Sequence, residues 1–128
     1  MSRGNYAFMR QMLRSSSQPG TFSDAELRRY AEAWRMPGAL AGGLNGYRAV
    51  FRNALTQGGL PEQRSQRVRV PTLILWGVRD IALSQDLARP SVDLCDDGEL
   101  VFFPNATHWV QHDEAQSVNT LLTEFLQS

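Results

Sequence analysis

One short, unbroken apolar run restricts the fold more than any other feature: Pro71-Thr72-Leu73-Ile74-Leu75-Trp76. A strand with one wet face alternates apolar and polar residues. This run does not, so it reads as a strand covered on both faces, as in a parallel sheet. A second such run, Leu100-Val101-Phe102-Phe103, is closed by Pro104-Asn105. Between them, Leu83 to Asp97 reads as a helix and turn, with Pro90 an awkward interruption. A last helix follows, with Val118, Leu121, Leu122, Phe125 and Leu126 on its apolar face. Asp113 is its expected cap, with Gln116 in the box position.

The first half has a different rhythm. Tyr6, Met9 and Leu13 share one helix face, which the run Ser15 to Gly20 breaks. A better-signalled helix starts at Ser23, where Glu26 completes a capping box and Phe22 and Leu27 have the spacing of a hydrophobic staple. Leu27, Tyr30, Ala31 and Trp34 continue it until Met36-Pro37-Gly38. A further helix is expected from Ala39 to Thr56, its stripe formed by Leu40, Leu44, Tyr47, Phe51 and Leu55. Gly42, Gly43 and Gly46 weaken that helix and suggest that another backbone or a ligand lies close by. Leu60 to Arg67 is a polar connector. The order helix, helix, strand, helix, strand, helix belongs to the α/β class. Two parallel strands alone make a poor sheet, because sheets typically hold about four to six. The sequence therefore reads as the back end of a larger domain.

Composition narrows the partners. The chain has 128 residues, formal net charge +0, 42% hydrophobic and 20% charged residues, which fits one small domain or part of a larger one and excludes general disorder. No stretch approaches the roughly 20 apolar residues that cross a bilayer, and the N-terminal residues lead into no secretory h-region. Cys95 is the only cysteine, so no internal disulfide or Cys-x-x-Cys zinc site is expected, and a reducing cytoplasm is the expected location. Residues 1–64 hold nine Arg and four acids, residues 65–128 four Arg and nine acids, with no Lys anywhere. The Arg residues are scattered and form no stripe with aromatics, so a nucleic-acid partner is not expected.

Asp80 lies just past the end of the first strand and His108 just past the second. Ligands of open α/β sheets gather at such carboxyl ends. An acid and a histidine there suit a general-base pair, the carboxylate fixing the imidazole tautomer. Position alone weighs this equally against a turn-capping Asp80 and an ordinary loop histidine. His108 and His112, with Asp113 nearby, have metal-ligand spacing, but Trp109 stands where the zincin pattern needs Glu, and a loop placement of His108 spoils the shared face. His112 reads better as a solvated residue at the start of the last helix. Tyr47, on its apolar stripe, reads first as core; its glycine neighbours leave room for a binding role. No G-x-S-x-G elbow and no Gly-rich phosphate loop is present, and Cys95 sits among Asp93, Asp96 and Asp97, which disfavours a thiolate nucleophile.

Val70-Pro71-Thr72-Leu73-Ile74-Leu75-Trp76-Gly77-Val78-Arg79-Asp80 resembles the late strand and acid loop of α/β-hydrolases. Pro104-Asn105-Ala106-Thr107-His108-Trp109-Val110-Gln111 resembles their histidine loop. Pro37-Gly38-Ala39-Leu40, followed by Leu44-Asn45-Gly46-Tyr47-Arg48, resembles the end of the cap domain in the epoxide hydrolases of that superfamily. The resemblance implies a partial helical cap over residues 1–60 and the C-terminal segment of the hydrolase core over 61–128. It also implies a small-molecule epoxide substrate, no cofactor, and roles for Tyr47 as a cap tyrosine, Asp80 as supporting acid and His108 as base. Gly46 departs from the family's usual aromatic. The family's early strands, oxyanion-hole loop, nucleophile elbow and first cap tyrosine would all precede residue 1, so the chain by itself lacks a nucleophile. The alternatives are another capped hydrolase, such as a dehalogenase or esterase, or a non-catalytic product that self-associates through an exposed sheet edge.

Overall fold

The computed structural model describes residues 6–56 and 67–127. Their contacts divide into two units: Tyr6 with residues 24–56, and residues 7–23 with 67–127. The expected boundary near residue 60 lies outside the described residues. Residues 7–23 group with the strands, not with the helices that follow them.

In the first unit, helix α2 (Asp24–Arg35) starts directly after Ser23, with Asp24 and Glu26 in its first turn, where negative charge complements the helix dipole. It buries Leu27 and Ala31. Tyr6 stacks edge-on to Trp34, 5.7 Å between ring centres, and donates its hydroxyl proton to the Trp34 carbonyl at 3.2 Å. Gly38, in the left-handed region at φ 80°, turns the chain into α3 (Ala39–Thr56), whose ends are those the periodicity predicts. Its burial is not as predicted. Leu44, Tyr47, Val50 and Phe51 are exposed, and the space beside Gly42, Gly43 and Gly46 is open. The expected close neighbour of the glycines is absent among the described residues.

In the second unit, α1 (Ala7–Ser15) buries Leu13 and ends in the serine run, where the Ser16 hydroxyl donates to the Met12 carbonyl at 2.8 Å. Strands β1 (Thr72–Gly77) and β2 (Gly98–Phe103) pair in parallel, in a register that runs from Thr72 opposite Gly98 to Gly77 opposite Phe103. The crossover passes through a 3-10 turn (Gln85–Leu87) and α4 (Ala88–Asp93). Pro90 interrupts nothing: it lies in the first turn of α4, where backbone N–H groups have no helical partner. A Cβ on Gly98 would stand 2.7 Å from both the Cys95 Cβ and the Val92 Cγ2, so a side chain there would push the crossover off the sheet. Arg67 fastens the turn before β2, pairing with the Asp96 carboxylate and donating to the carbonyls of Asp93 and Cys95.

Behind β2, α5 (Val110–Asp113) and α6 (Ala115–Gln127) complete the unit. The core is Phe103, Ala106 and Val118, packed by Leu75, Val101, Val110 and Leu121. Each such large side chain contributes about 1.5–3 kcal/mol when fully buried. The strands are half-buried rather than covered on both faces as expected, because a two-stranded sheet has too little around it. Leu122 and Leu126, placed on the apolar face of the last helix, are exposed.

Candidate active site

The site is made by two loops that leave the same end of the sheet. Since Gly77 lies opposite Phe103, the loops after β1 and β2 start side by side. Backbone hydrogen bonds tie them together: Val78 N–H donates to the Phe103 carbonyl at 3.0 Å and Arg79 N–H to the Ala106 carbonyl at 2.9 Å. Gly77 is what permits this approach. A Cβ there would overlap the Thr107 carbonyl oxygen and stand 2.7 Å from that of Ala106. The sequence signal for a tight backbone approach was therefore at Gly77, not in the α3 glycines.

Asp80 lies in the first loop and His108 in the second, 28 positions apart. The His108 Nδ1 is 2.8 Å from the Asp80 Oδ2. The other oxygen, Asp80 Oδ1, accepts from the backbone N–H groups of Ala82 at 2.7 Å and Leu83 at 3.0 Å. One oxygen is thus held by the turn and the other is presented to the imidazole. The Asp80 side chain is 8% exposed and that of His108 40%. Burial pushes the Asp80 pKa up, but the hydrogen bonds from His108, Leu83 and Ala82 and the charge of His108 outweigh it, so the carboxyl stays below its ordinary value. An ionised carboxylate only accepts, so Nδ1 carries the proton of this contact and Nε2 is the nitrogen left for chemistry.

The histidine loop has its own anchor. The Asp113 Oδ2 accepts from the Thr107 backbone N–H at 2.8 Å and from its hydroxyl at 2.6 Å. The Asp113 Oδ1 accepts from the Thr21 hydroxyl and from Gln18 N–H at 3.4 Å. Asp113 therefore does not cap the last helix, as its position had suggested; its carboxylate is turned into the loop. Burial raises its pKa, and the hydrogen bonds from Thr107, Thr21 and Gln18 more than offset that, so it too lies below the ordinary carboxylate value. The segment before α2 adds two contacts: Gln18 Nε2–H donates to the Asn105 carbonyl at 2.8 Å, and Trp109 Nε1–H to the Ser16 hydroxyl at 2.9 Å. His112 is half-buried at the start of the helical C-terminal segment. Its ring lies tilted against Phe22, 4.7 Å between centres. Sequence reasoning missed Thr21, Thr107 and Gly77; no local pattern links Thr21 to Asp113, 92 positions away. Tyr47 belongs to the other unit, on α3, with 70% of its surface exposed.

Solved structures contain this arrangement of strands and helices. An epoxide hydrolase from Bacillus megaterium matches 100% of this chain and 46% of its own with a TM-score of 0.77 and 21% identity. A serine hydrolase involved in carbazole degradation matches 98% of this chain and 50% of its own, with a TM-score of 0.68 and 22% identity. At such identities the likeness is one of fold, and that fold is the C-terminal part of an α/β-hydrolase.

The sequence relatives are AB hydrolase superfamily proteins and epoxide hydrolases. The AB hydrolase superfamily protein YfhM of Bacillus subtilis (strain 168) is 35% identical over 128 residues, which is 100% of this chain and 43% of that protein. Epoxide hydrolase 2 of Caenorhabditis elegans is 33% identical over 105 residues, 82% of this chain and 28% of that protein. The chain thus spans less than half the length of these relatives. No family model matches it. No described helix is long and apolar enough to cross a membrane.

Two outcomes are expected. Gly77→Ala forces the histidine loop off β1, at a cost of about 1–3 kcal/mol or more, seen as a lower urea midpoint. Asp113→Asn lowers stability by about 1–2 kcal/mol at neutral pH, because an amide leaves donors facing donors. The folded Asp113 pKa lies below the unfolded one, so its contribution is complete above about pH 4 and is lost as pH falls through the lower native value. The stability gap between the two proteins therefore closes in acid, measured by urea unfolding at a series of pH values.

Proposed function

We propose that this chain carries the acid–base half of a hydrolase site that opens epoxides, with the nucleophile supplied by a segment outside these 128 residues. The observation that carries the reading is the 2.8 Å contact between the Asp80 Oδ2 and the His108 Nδ1 at the carboxyl ends of paired parallel strands. Relatives named epoxide hydrolases support the substrate class.

In the proposed reaction an aspartate nucleophile attacks an epoxide carbon. The C–O bond breaks, the oxygen takes a proton from the Tyr47 hydroxyl, and an ester forms. His108 Nε2 then removes a proton from water, which attacks the ester carbonyl. Asp80 stabilises the imidazolium so formed. Collapse of the adduct expels the second diol oxygen, which takes the proton from the His108 imidazolium, and the remaining proton of the attacking water passes back to Tyr47, so that the carboxylate nucleophile, the neutral imidazole and the tyrosine hydroxyl are all restored. A serine in place of that aspartate would turn the same acid–base pair to ester hydrolysis.

The reading is tested in a protein that joins these residues to their nucleophile segment. His108→Ala is expected to form the ester and stop there, with the covalent adduct visible by mass spectrometry of the intact protein and steady turnover down by at least 10²-fold, the low end of what a general base contributes. Tyr47→Phe is expected to slow ring opening more than ester hydrolysis. Normal turnover by His108→Ala would overturn the assignment.

A second reading, self-association without catalysis, is favoured by one observation. β1 and β2 have only each other as neighbours, so each leaves an edge unpaired among the described residues. On this reading the 128-residue chain sediments as an oligomer; a single sharp monomer boundary with cooperative unfolding counts against it.

A further inference from the structure

We propose that Asp113 is a positioning residue for His108, acting with Thr21 through Thr107. The inference rests on the acid–base reading of Asp80 and His108 and concerns how that imidazole is held.

His108 lies in a loop, not in a helix or strand, so no regular backbone ladder sets its direction. Its neighbours on both sides are tied instead. Thr107 donates both its backbone N–H and its hydroxyl to one oxygen, Asp113 Oδ2, which fixes the Ala106–Thr107 peptide and the Thr107 rotamer together, one residue ahead of His108. Trp109 N–H donates to the same Thr107 hydroxyl at 3.3 Å, and the Trp109 indole N–H is held by Ser16. The second Asp113 oxygen is held by Thr21 and Gln18, residues of the connection before α2. Four donors thus converge on one carboxylate, two on each oxygen. Only an ionised carboxylate accepts at all four positions; an amide offers one accepting oxygen and two donors. The depressed pKa of Asp113 agrees with this. The last helix by contrast takes nothing from the Asp113 side chain. The carboxylate therefore orients the loop that aims His108 at Asp80, and Thr21, 92 positions from Asp113, adjusts it from another part of the chain.

The test reads the geometry of His108 directly. The chain has two histidines, so nitrogen-15 spectra of histidine-labelled full-length chain contain two imidazoles, and His112→Gln assigns them. In the native chain, His108 is expected to show a protected, downfield Nδ1 proton that Asp80→Asn removes. Thr21→Val, which deletes one hydroxyl and keeps the shape, is expected to broaden that resonance and raise its solvent exchange at least several-fold, while far-ultraviolet circular dichroism is unchanged. Thr21→Ser restores it. Asp113→Asn loses it altogether. A resonance that persists unchanged in both Thr21→Val and Asp113→Asn overturns the positioning role and leaves the Asp80–His108 pair standing. A native chain whose His108 signal is indifferent to Asp80→Asn overturns the acid–base reading, and the inference falls with it.

Discussion

A backbone-on-backbone contact at Gly77 underlies the rest of the site. The histidine loop passes so close to the end of β1 that no side chain fits between them. The approach lets Val78 and Arg79 donate to the Phe103 and Ala106 carbonyls, so that two loops far apart in sequence become one rigid corner. Backbone polar groups in such a corner must find partners, and these four do. The core at Phe103, Ala106 and Val118 lies directly beneath, so the same residues that start the histidine loop also anchor it in apolar packing. Asp80 and His108 meet because the parallel register and the glycine leave their loops no other path.

Two aspartates then divide the work of holding the imidazole. Each has burial working against its charge and hydrogen bonds that outweigh burial. Asp80 gives one oxygen to its own turn and one to His108. Asp113 gives one oxygen to Thr107 and the other to the segment before α2. In both, directed donors do most to stabilise the charge, and the charge of His108 adds a smaller part at Asp80. That keeps both carboxylates accepting, and so leaves Nε2 of the imidazole as the group able to exchange a proton.

Each unit taken by itself is under-covered among the described residues. Leu44, Tyr47, Val50 and Phe51 line an exposed side of α3, and Ile81 and Leu83 stand exposed just beyond Asp80. The indole N–H of Trp76 is buried with no hydrogen-bond partner among the described residues. Among the described residues the sheet holds two strands, whereas unbroken apolar runs suit strands with cover on both faces.

The amino-acid sequence by itself determined the elements and their class. The unbroken apolar runs read as strands of the kind a parallel sheet holds, and the Ser23 and Gly38 signals fix where α2 and α3 begin, because caps and turns are local chemistry. It also put Asp80 and His108 at strand ends, where their meeting was one of two equal readings. Tertiary structure decided the rest. Pro90 became a first-turn residue once a 3-10 turn preceded it. Asp113 looked like a helix cap from its neighbours, but a carboxylate goes where the most donors converge, and those come from Thr107, Thr21 and Gln18. The α3 glycines looked like a contact and face open space, while Gly77, unremarked in its run, is the contact. Periodicity and capping depend on residues within a turn of each other; hydrogen-bond convergence and backbone approach depend on residues that only the fold brings together.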